Sequence, residues 1–214
     1  ANRIQNRATS SKRQPGSAIK PLSVYASAIQ YNLIHFSSQV QDCYITLSNG
    51  EKWPRNVGQS TPTDRGMTLV DKALQQSMNT VAARLAQQLT PQRCFDFMTN
   101  QLHFSTLVKS DGEGHTDIDL SPMALGGLTD GVYAREMAAA YQIFGNGGVY
   151  YEPYSYEKVE MGGQTILPKG SRMTNTALDE DSAYVMNRLL QHVITGRTGA
   201  TGANGAVGRQ LKKD

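Results

Sequence analysis

Ser17 and Lys20 stand three residues apart in the string Arg13-Gln14-Pro15-Gly16-Ser17-Ala18-Ile19-Lys20-Pro21, directly after a Pro-Gly turn and at the head of an apolar run. Few features of the chain restrict its fold as strongly. Pro15-Gly16 stops the preceding segment, and Gly16 lets other backbone come close. Pro21 is tolerated only near the first turn of a helix, so the serine is expected at a helix entry. Positions i and i+3 share a helix face, which brings the Lys20 amine towards the Ser17 hydroxyl. Serine is a weak nucleophile at neutral pH and needs such a base. A lone S-x-x-K arises by chance about once in a chain of this length, and its ordinary reading is an exposed Ser and Lys at a helix start. The remainder of the sequence has to decide.

With 214 residues, 39% hydrophobic and 18% charged, the chain can form one domain with a substantial core, or most of a larger one. A net charge of +3 with scattered Lys and Arg does not make a nucleic-acid binder, and Lys212-Lys213 reads as a solvated end. No run reaches the ~18 apolar residues of a membrane span. The chain opens on Ala1-Asn2-Arg3 without an initiator Met, so it reads as a piece of something longer. His35, His103, His115 and His192 are dispersed, and Cys43 and Cys94 fit no metal-site spacing. The cysteines read as free buried thiols; a disulfide would require an oxidising compartment.

Residues 1–16 are a polar, basic approach. Residues 17–30 have a helical period in Ile19, Leu22, Ala26 and Ile29, whereas 31–66 lack a clean one and contain Asn49-Gly50 and Trp53-Pro54. Residues 68–89 form a long helical pattern, and Thr90-Pro91 starts another helix reaching about Leu102. Residues 109–120 are a polar loop. A helix over Ala134–Phe144 closes at Gly145-Asn146-Gly147-Gly148. Residues 149–167 favour strands with a hairpin turn at Gly162-Gly163, Asp179 caps a last helix over 179–195, and 196–214 is a Gly-rich tail expected to be flexible. Within the 68–89 pattern, Val70, Leu74, Ser77, Val81 and Leu85 share one helical stripe, which turns Ser77 inward. An inward polar residue needs a partner. The plainer reading of Ser77-Met78-Asn79 is polar residues on a solvated face.

Taken together, these segments resemble the transpeptidase domain of class A penicillin-binding proteins. Arg13–Pro21 resembles the active-serine segment and Ala73-Leu74-Gln75-Gln76-Ser77-Met78-Asn79-Thr80 the S-x-N segment. Trp53-Pro54-Arg55-Asn56 resembles the loop before it. Ala124–Thr129, Glu136–Tyr141 and Phe144–Gly148 follow in family order. The resemblance implies an α+β fold: the mainly helical portion of a penicillin-binding-protein or serine β-lactamase-like domain, with most of the central antiparallel sheet outside this chain. Residues 1–214 are then one incomplete domain, with 17–148 its helical region and 149–167 a β-excursion. One departure is clear. The family's K-T-G motif is absent; Arg197-Thr198-Gly199 is the nearest string and reads as a decoy, so the motif is expected beyond Asp214.

By resemblance the function is peptidoglycan D,D-transpeptidation through an acyl-enzyme on Ser17, with β-lactams as mimics of the D-Ala-D-Ala substrate. Lys20, desolvated and near another cation, is the implied general base. Ser77 relays a proton to the leaving amine, Asn79 holds the substrate backbone, and Trp53 either walls the cleft or packs under its loop. The Ser17 N–H gives one oxyanion donor; the second belongs to the missing strand. No metal or organic cofactor is implied. The implied partners are stem peptides and β-lactams, with no nucleic acid. The parent is expected to be anchored by an upstream segment at the extracytoplasmic face of the bacterial membrane, and a second chain could complete the sheet. Two rivals share the motifs. A serine β-lactamase would need a carboxylate to hold a deacylating water, for which Glu113 is the only Glu of the polar loop. A non-catalytic β-lactam sensor would need only the serine.

Overall fold

Pro21 shapes the segment that carries the serine. It has no N–H to give the Ser17 carbonyl, and in a regular α-helix its ring would press on that carbonyl. In the computed structural model, which describes residues 6–167, 172–196 and 200–202, the chain avoids both problems. Gly16–Ile19 winds as a 3-10 turn in which the Lys20 N–H donates to Ser17 O, and Pro21–Ala26 then widens into a π-helical stretch. The expected single helix over 17–30 is thus three windings in series, ending in one α-helical turn. The 3-10 geometry eclipses side chains at i and i+3, so it aligns Ser17 and Lys20 more directly than an α-helix would.

In chain order the elements are α1 Arg7–Ser10, β1 Lys12–Arg13, the Ser17 segment ending in α2 Ser27–Gln30, β2 Gln39–Gln41, β3 Ile45–Thr46, β4 Lys52–Trp53 and β5 Met67–Leu69. Then come α3 Val70–Gln75, α4 Asn79–Leu89, α5 Pro91–Asp96 with a π-helical extension Phe97–Gln101, and α6 Leu120–Leu125. The last are β6 Val132–Tyr133, α7 Ala134–Tyr141 with a 3-10 turn Gln142–Phe144, β7 Val149–Tyr151, β8 Val159–Met161, β9 Gln164–Leu167, β10 Thr174–Thr176 and α8 Glu180–Thr195. Among the described residues the strands pair only in twos, all antiparallel: β1 with β6, β2 with β5, β3 with β4, β7 with β10 and β8 with β9. The architecture is α+β, and the region 17–148 holds short strands that its weak periodicity did not reveal.

The fully buried π-helical stretch is the axis of the core. It contributes Leu22, Val24 and Tyr25, all fully buried, and packs against α4, α5, α6 and α8. Burying side chains of this size stabilises by about 1.5–3 kcal/mol each. Cys43 and Cys94 are free and buried, and burial pushes the Cys94 thiol up to about 12. Thr90 caps α5 as expected, its hydroxyl accepting from Arg93 N, while Asp179 turns its carboxylate to Gln30 rather than into its own helix.

The 68–89 pattern does not form one helix. It breaks into α3 and α4 at Ser77, whose φ is +52°. The break is a Schellman turn: Met78 N donates to Ala73 O at 2.9 Å and Ser77 N to Leu74 O at 3.0 Å. Serine occupies the left-handed position where glycine is usual, so the stripe argument found the right side for Ser77 by the wrong geometry. Of the Gly-rich tail, 197–199 and 203–214, including the Arg197-Thr198-Gly199 string, lie outside the described residues. The parts described are docked: Thr201 N donates to Gln75 O and Gly202 N to Val193 O.

Candidate active site

Ser17, Ala18, Lys20, Pro21, Leu74, Ser77, Tyr141, Leu190, Val193 and Thr201 line a cleft of about 390 Å³. The 3-10 turn, the α3–α4 turn, the end of α7 and one face of α8 therefore converge on it. Tyr141 ties two of these walls together by donating its hydroxyl to Ala18 O at 2.7 Å, and burial pushes its pKa up to about 12, so it remains a donor.

Lys20 is the centre of the site. The residue is 1% exposed, and its amine donates to Asn79 Oδ1 at 2.7 Å, Ser77 O at 2.8 Å and Ser77 Oγ at 3.2 Å. An ammonium has three protons, and all three are engaged. Burial lowers its pKa from 10.5 to about 8. The expected neighbouring cation plays no part in that shift; desolvation alone causes it, because the charged form has left water without a carboxylate to offset the loss. The amine is not bonded to Ser17, which is the second correction to the expected geometry. Ser17 is exposed and its hydroxyl has no hydrogen-bond partner among the described residues, although it opens into the same cleft as Lys20.

Asn79 is held on both sides. Its Oδ1 faces Lys20 and its Nδ2 donates to Arg55 O at 2.9 Å. Lysine can only donate and a carbonyl can only accept, so the amide orientation is fixed. Trp53 does not line the Ser17 cleft. It is half-buried and packs on the core, and it also lines a neighbouring cleft with Pro54, Arg55, Asn56 and Asn79. The structure thus brings Ser17, Lys20 and Ser77 to one cleft and places Asn79 and Trp53 at the next.

Sequence reasoning missed Tyr141 and, beneath Asn79, a buried set formed by Asp42, Asn56 and Thr80. Tyr141, Asn56 and Thr80 all lie inside the segments that carry the resemblance; only their roles were hidden. Asp42 sits in a stretch without a period and gave no signal. Glu113 lies with Asp111 and His115 on an exposed loop, and no residue of 109–119 lines the Ser17 cleft.

Comparison with known proteins bears on the family and the fold. Residues 1–211 match the family described as the penicillin binding protein transpeptidase domain. The chain is 31% identical over 195 residues to penicillin-binding protein 4 of Bacillus subtilis, covering 91% of this chain and 29% of that protein. It is 32% identical over 202 residues to penicillin-binding protein 1A of Clostridium acetobutylicum, covering 91% of this chain and 24% of that protein. It therefore spans about a quarter of the length of these relatives. Among solved structures, the D,D-transpeptidase domain of a peptidoglycan glycosyltransferase from Eggerthella lenta superposes with a TM-score of 0.71 at 17% identity, covering 95% of this chain and 54% of that one. A peptidoglycan glycosyltransferase from Burkholderia ambifaria gives 0.68 at 18% identity, covering 94% and 61%. Those two show the fold.

Proposed function

The chain belongs to the penicillin-binding protein transpeptidase family, and we propose that it acts on peptidoglycan stem peptides through a covalent acyl-enzyme on Ser17. The observation that carries this reading is the buried amine of Lys20, bonded to Ser77 and Asn79 and sharing a cleft with the Ser17 hydroxyl.

At a pKa of about 8, about a tenth of the Lys20 side chains are neutral at pH 7. A neutral amine keeps two N–H donors and gains a lone pair. It can retain its two short bonds, to Asn79 Oδ1 and Ser77 O, and release the longer one to Ser77 Oγ. The lone pair then faces Ser77 Oγ and takes its proton, while Ser77 Oγ takes the Ser17 proton as Ser17 Oγ attacks the carbonyl between the two terminal D-alanines. The Oγ–C bond forms, and the Ser17 N–H at the start of the 3-10 turn donates to the developing oxyanion. Lys20 passes its proton through Ser77 Oγ to the departing nitrogen; the C–N bond breaks and D-alanine leaves. An amine of a neighbouring stem attacks the ester, loses its proton by the reverse route, and frees Ser17. β-Lactams acylate the same oxygen.

On this reading residues 1–214 are one incomplete transpeptidase domain, working at the extracytoplasmic face of the bacterial membrane within a parent anchored by another segment. No helix among the described residues is long and apolar enough to cross a membrane. A β-lactamase reading is less well supported, because the loop carrying Glu113 contributes nothing to the Ser17 cleft. Labelling with a fluorescent penicillin tests the proposal. The expected result is a covalent adduct that is lost in Ser17→Ala and persists for many minutes. Label surviving Ser17→Ala overturns the nucleophile assignment, and rapid turnover of the penicillin would favour the β-lactamase.

A further inference from the structure

Asn79 takes its position from a buried polar set that the chemistry above does not use. Asn56 is 8% exposed and Asp42 3% exposed, while Thr80 is fully buried. Asn56 Oδ1 accepts from the first two N–H groups of α4, Asn79 N at 2.6 Å and Thr80 N at 3.2 Å. Its Nδ2 donates to Asp42 Oδ1 at 2.8 Å and to Thr80 Oγ1 at 3.0 Å. Thr80 Oγ1 in turn donates to Asp42 Oδ1 at 2.5 Å.

Every proton here has one consistent place. A carboxylate can only accept and backbone N–H groups can only donate, so the Asn56 amide has a single orientation. The residue before α4, Met78, has no side chain able to cap it, so Asn56 supplies the cap from a distant loop. The preceding residue, Arg55, holds the Asn79 side chain through its carbonyl. Two consecutive residues of the 53–56 loop thus grip Asn79 by main chain and side chain, leaving Oδ1 to face Lys20.

From this arrangement, and on the transpeptidase reading above, we infer that Asn56, anchored by Asp42, is a positioning residue that sets Asn79 Oδ1 against the Lys20 amine. The charged groups meeting the set are Lys20 on one side and Asp42 on the other, with Arg65 Nε 3.9 Å from Asp42 Oδ2 at the solvent edge. Asn56→Asp puts two carboxylates in contact and disrupts the set. Asp42→Asn alone leaves an amide oxygen to accept the same bonds and is mild. The double exchange Asp42→Asn with Asn56→Asp moves the charge to the helix N-terminus and restores donors and acceptors throughout.

The test is the second-order rate constant for penicillin acylation as a function of pH in the full-length protein, with thermal unfolding measured alongside. Asn56→Ala and Asn56→Asp are expected to lower it about 10–100-fold, and the double exchange to return it to within about threefold of wild type. In Asn56→Ala the limb governed by Lys20 is expected to move to lower pH, because the ammonium loses a well-placed acceptor. A merely structural role would lower stability and leave that limb in place. An unmoved limb, an unchanged rate, or a folded double exchange that stays slow each overturns the inference. Failure of the transpeptidase reading looks different: wild type is not acylated, or label survives Ser17→Ala, and both proposals then fall together.

Discussion

On the proposed mechanism Lys20 acts as a base because the fold removes it from water, and this has measurable consequences in two directions. The acylation rate should fall about tenfold per pH unit below 8, and Lys20→Arg should lose at least about 10³-fold, since a guanidinium keeps the charge but cannot give up its proton. Stability should respond with the opposite economy. The folded pKa, about 8, lies below the unfolded 10.5, so between these values the unfolded chain binds more protons and stability rises with pH. Below pH 8 the penalty is constant; above 10.5 it is gone. Denaturant unfolding between pH 8 and 9.5 should show wild type gaining on Lys20→Met by about 1–2 kcal/mol, a window that avoids unfolded-state tyrosine ionisation. A flat difference would show that the ammonium is better solvated than the structure indicates. Ser77 carries a second local strain. Ser77→Gly should be more stable than Ser77→Ala by about 1 kcal/mol, because glycine accepts the left-handed φ, while both lose acylation with the hydroxyl.

Between elements, the Ser17 turn is held by close backbone contact as well as by the Tyr141 hydroxyl. Gly126 ends α6 with φ +76°, and a Cβ there would strike the main chain of Gly16. Gly126→Ala should therefore cost more than about 2 kcal/mol and also reduce acylation, since the element it displaces leads straight into Ser17. Loss of stability with an unchanged acylation rate would mean that the 3-10 turn holds its shape independently of α6. Along the sequence, the pair Gly126-Gly127 reads only as a stop signal. The need for glycine at Gly126 comes from a partner more than a hundred positions away. The same holds for α4, whose cap is Asn56 rather than a neighbour in the chain.

At the scale of the whole molecule, the Ser17 cleft is assembled from four separated stretches, and the described strands stay in pairs. On the proposed reading a second oxyanion donor is expected beside the Ser17 N–H, and no described strand lines the Ser17 cleft. A longer piece of the parent that supplies this donor should be acylated by penicillin about 10²–10³-fold faster than residues 1–214 alone. Equal rates would show that a single donor suffices here.

What the sequence determined by itself was local or linear: the helix entry at Ser17, the cap at Thr90, the strand-forming excursion after Val149, and the collinear segments from which family and fold class followed. Those signals reside in residue type and spacing, and they survive without coordinates. What the tertiary structure alone decided was contact. It broke the 68–89 pattern at Ser77, because the Schellman turn and the Asn56 cap outweigh helical propensity there. It gave the Lys20 amine to Ser77 and Asn79 instead of Ser17, and it lowered the pKa by the expected burial without the neighbouring cation that was also expected. Burial and hydrogen-bond partners depend on which distant segments meet, and spacing along one chain does not encode that meeting directly.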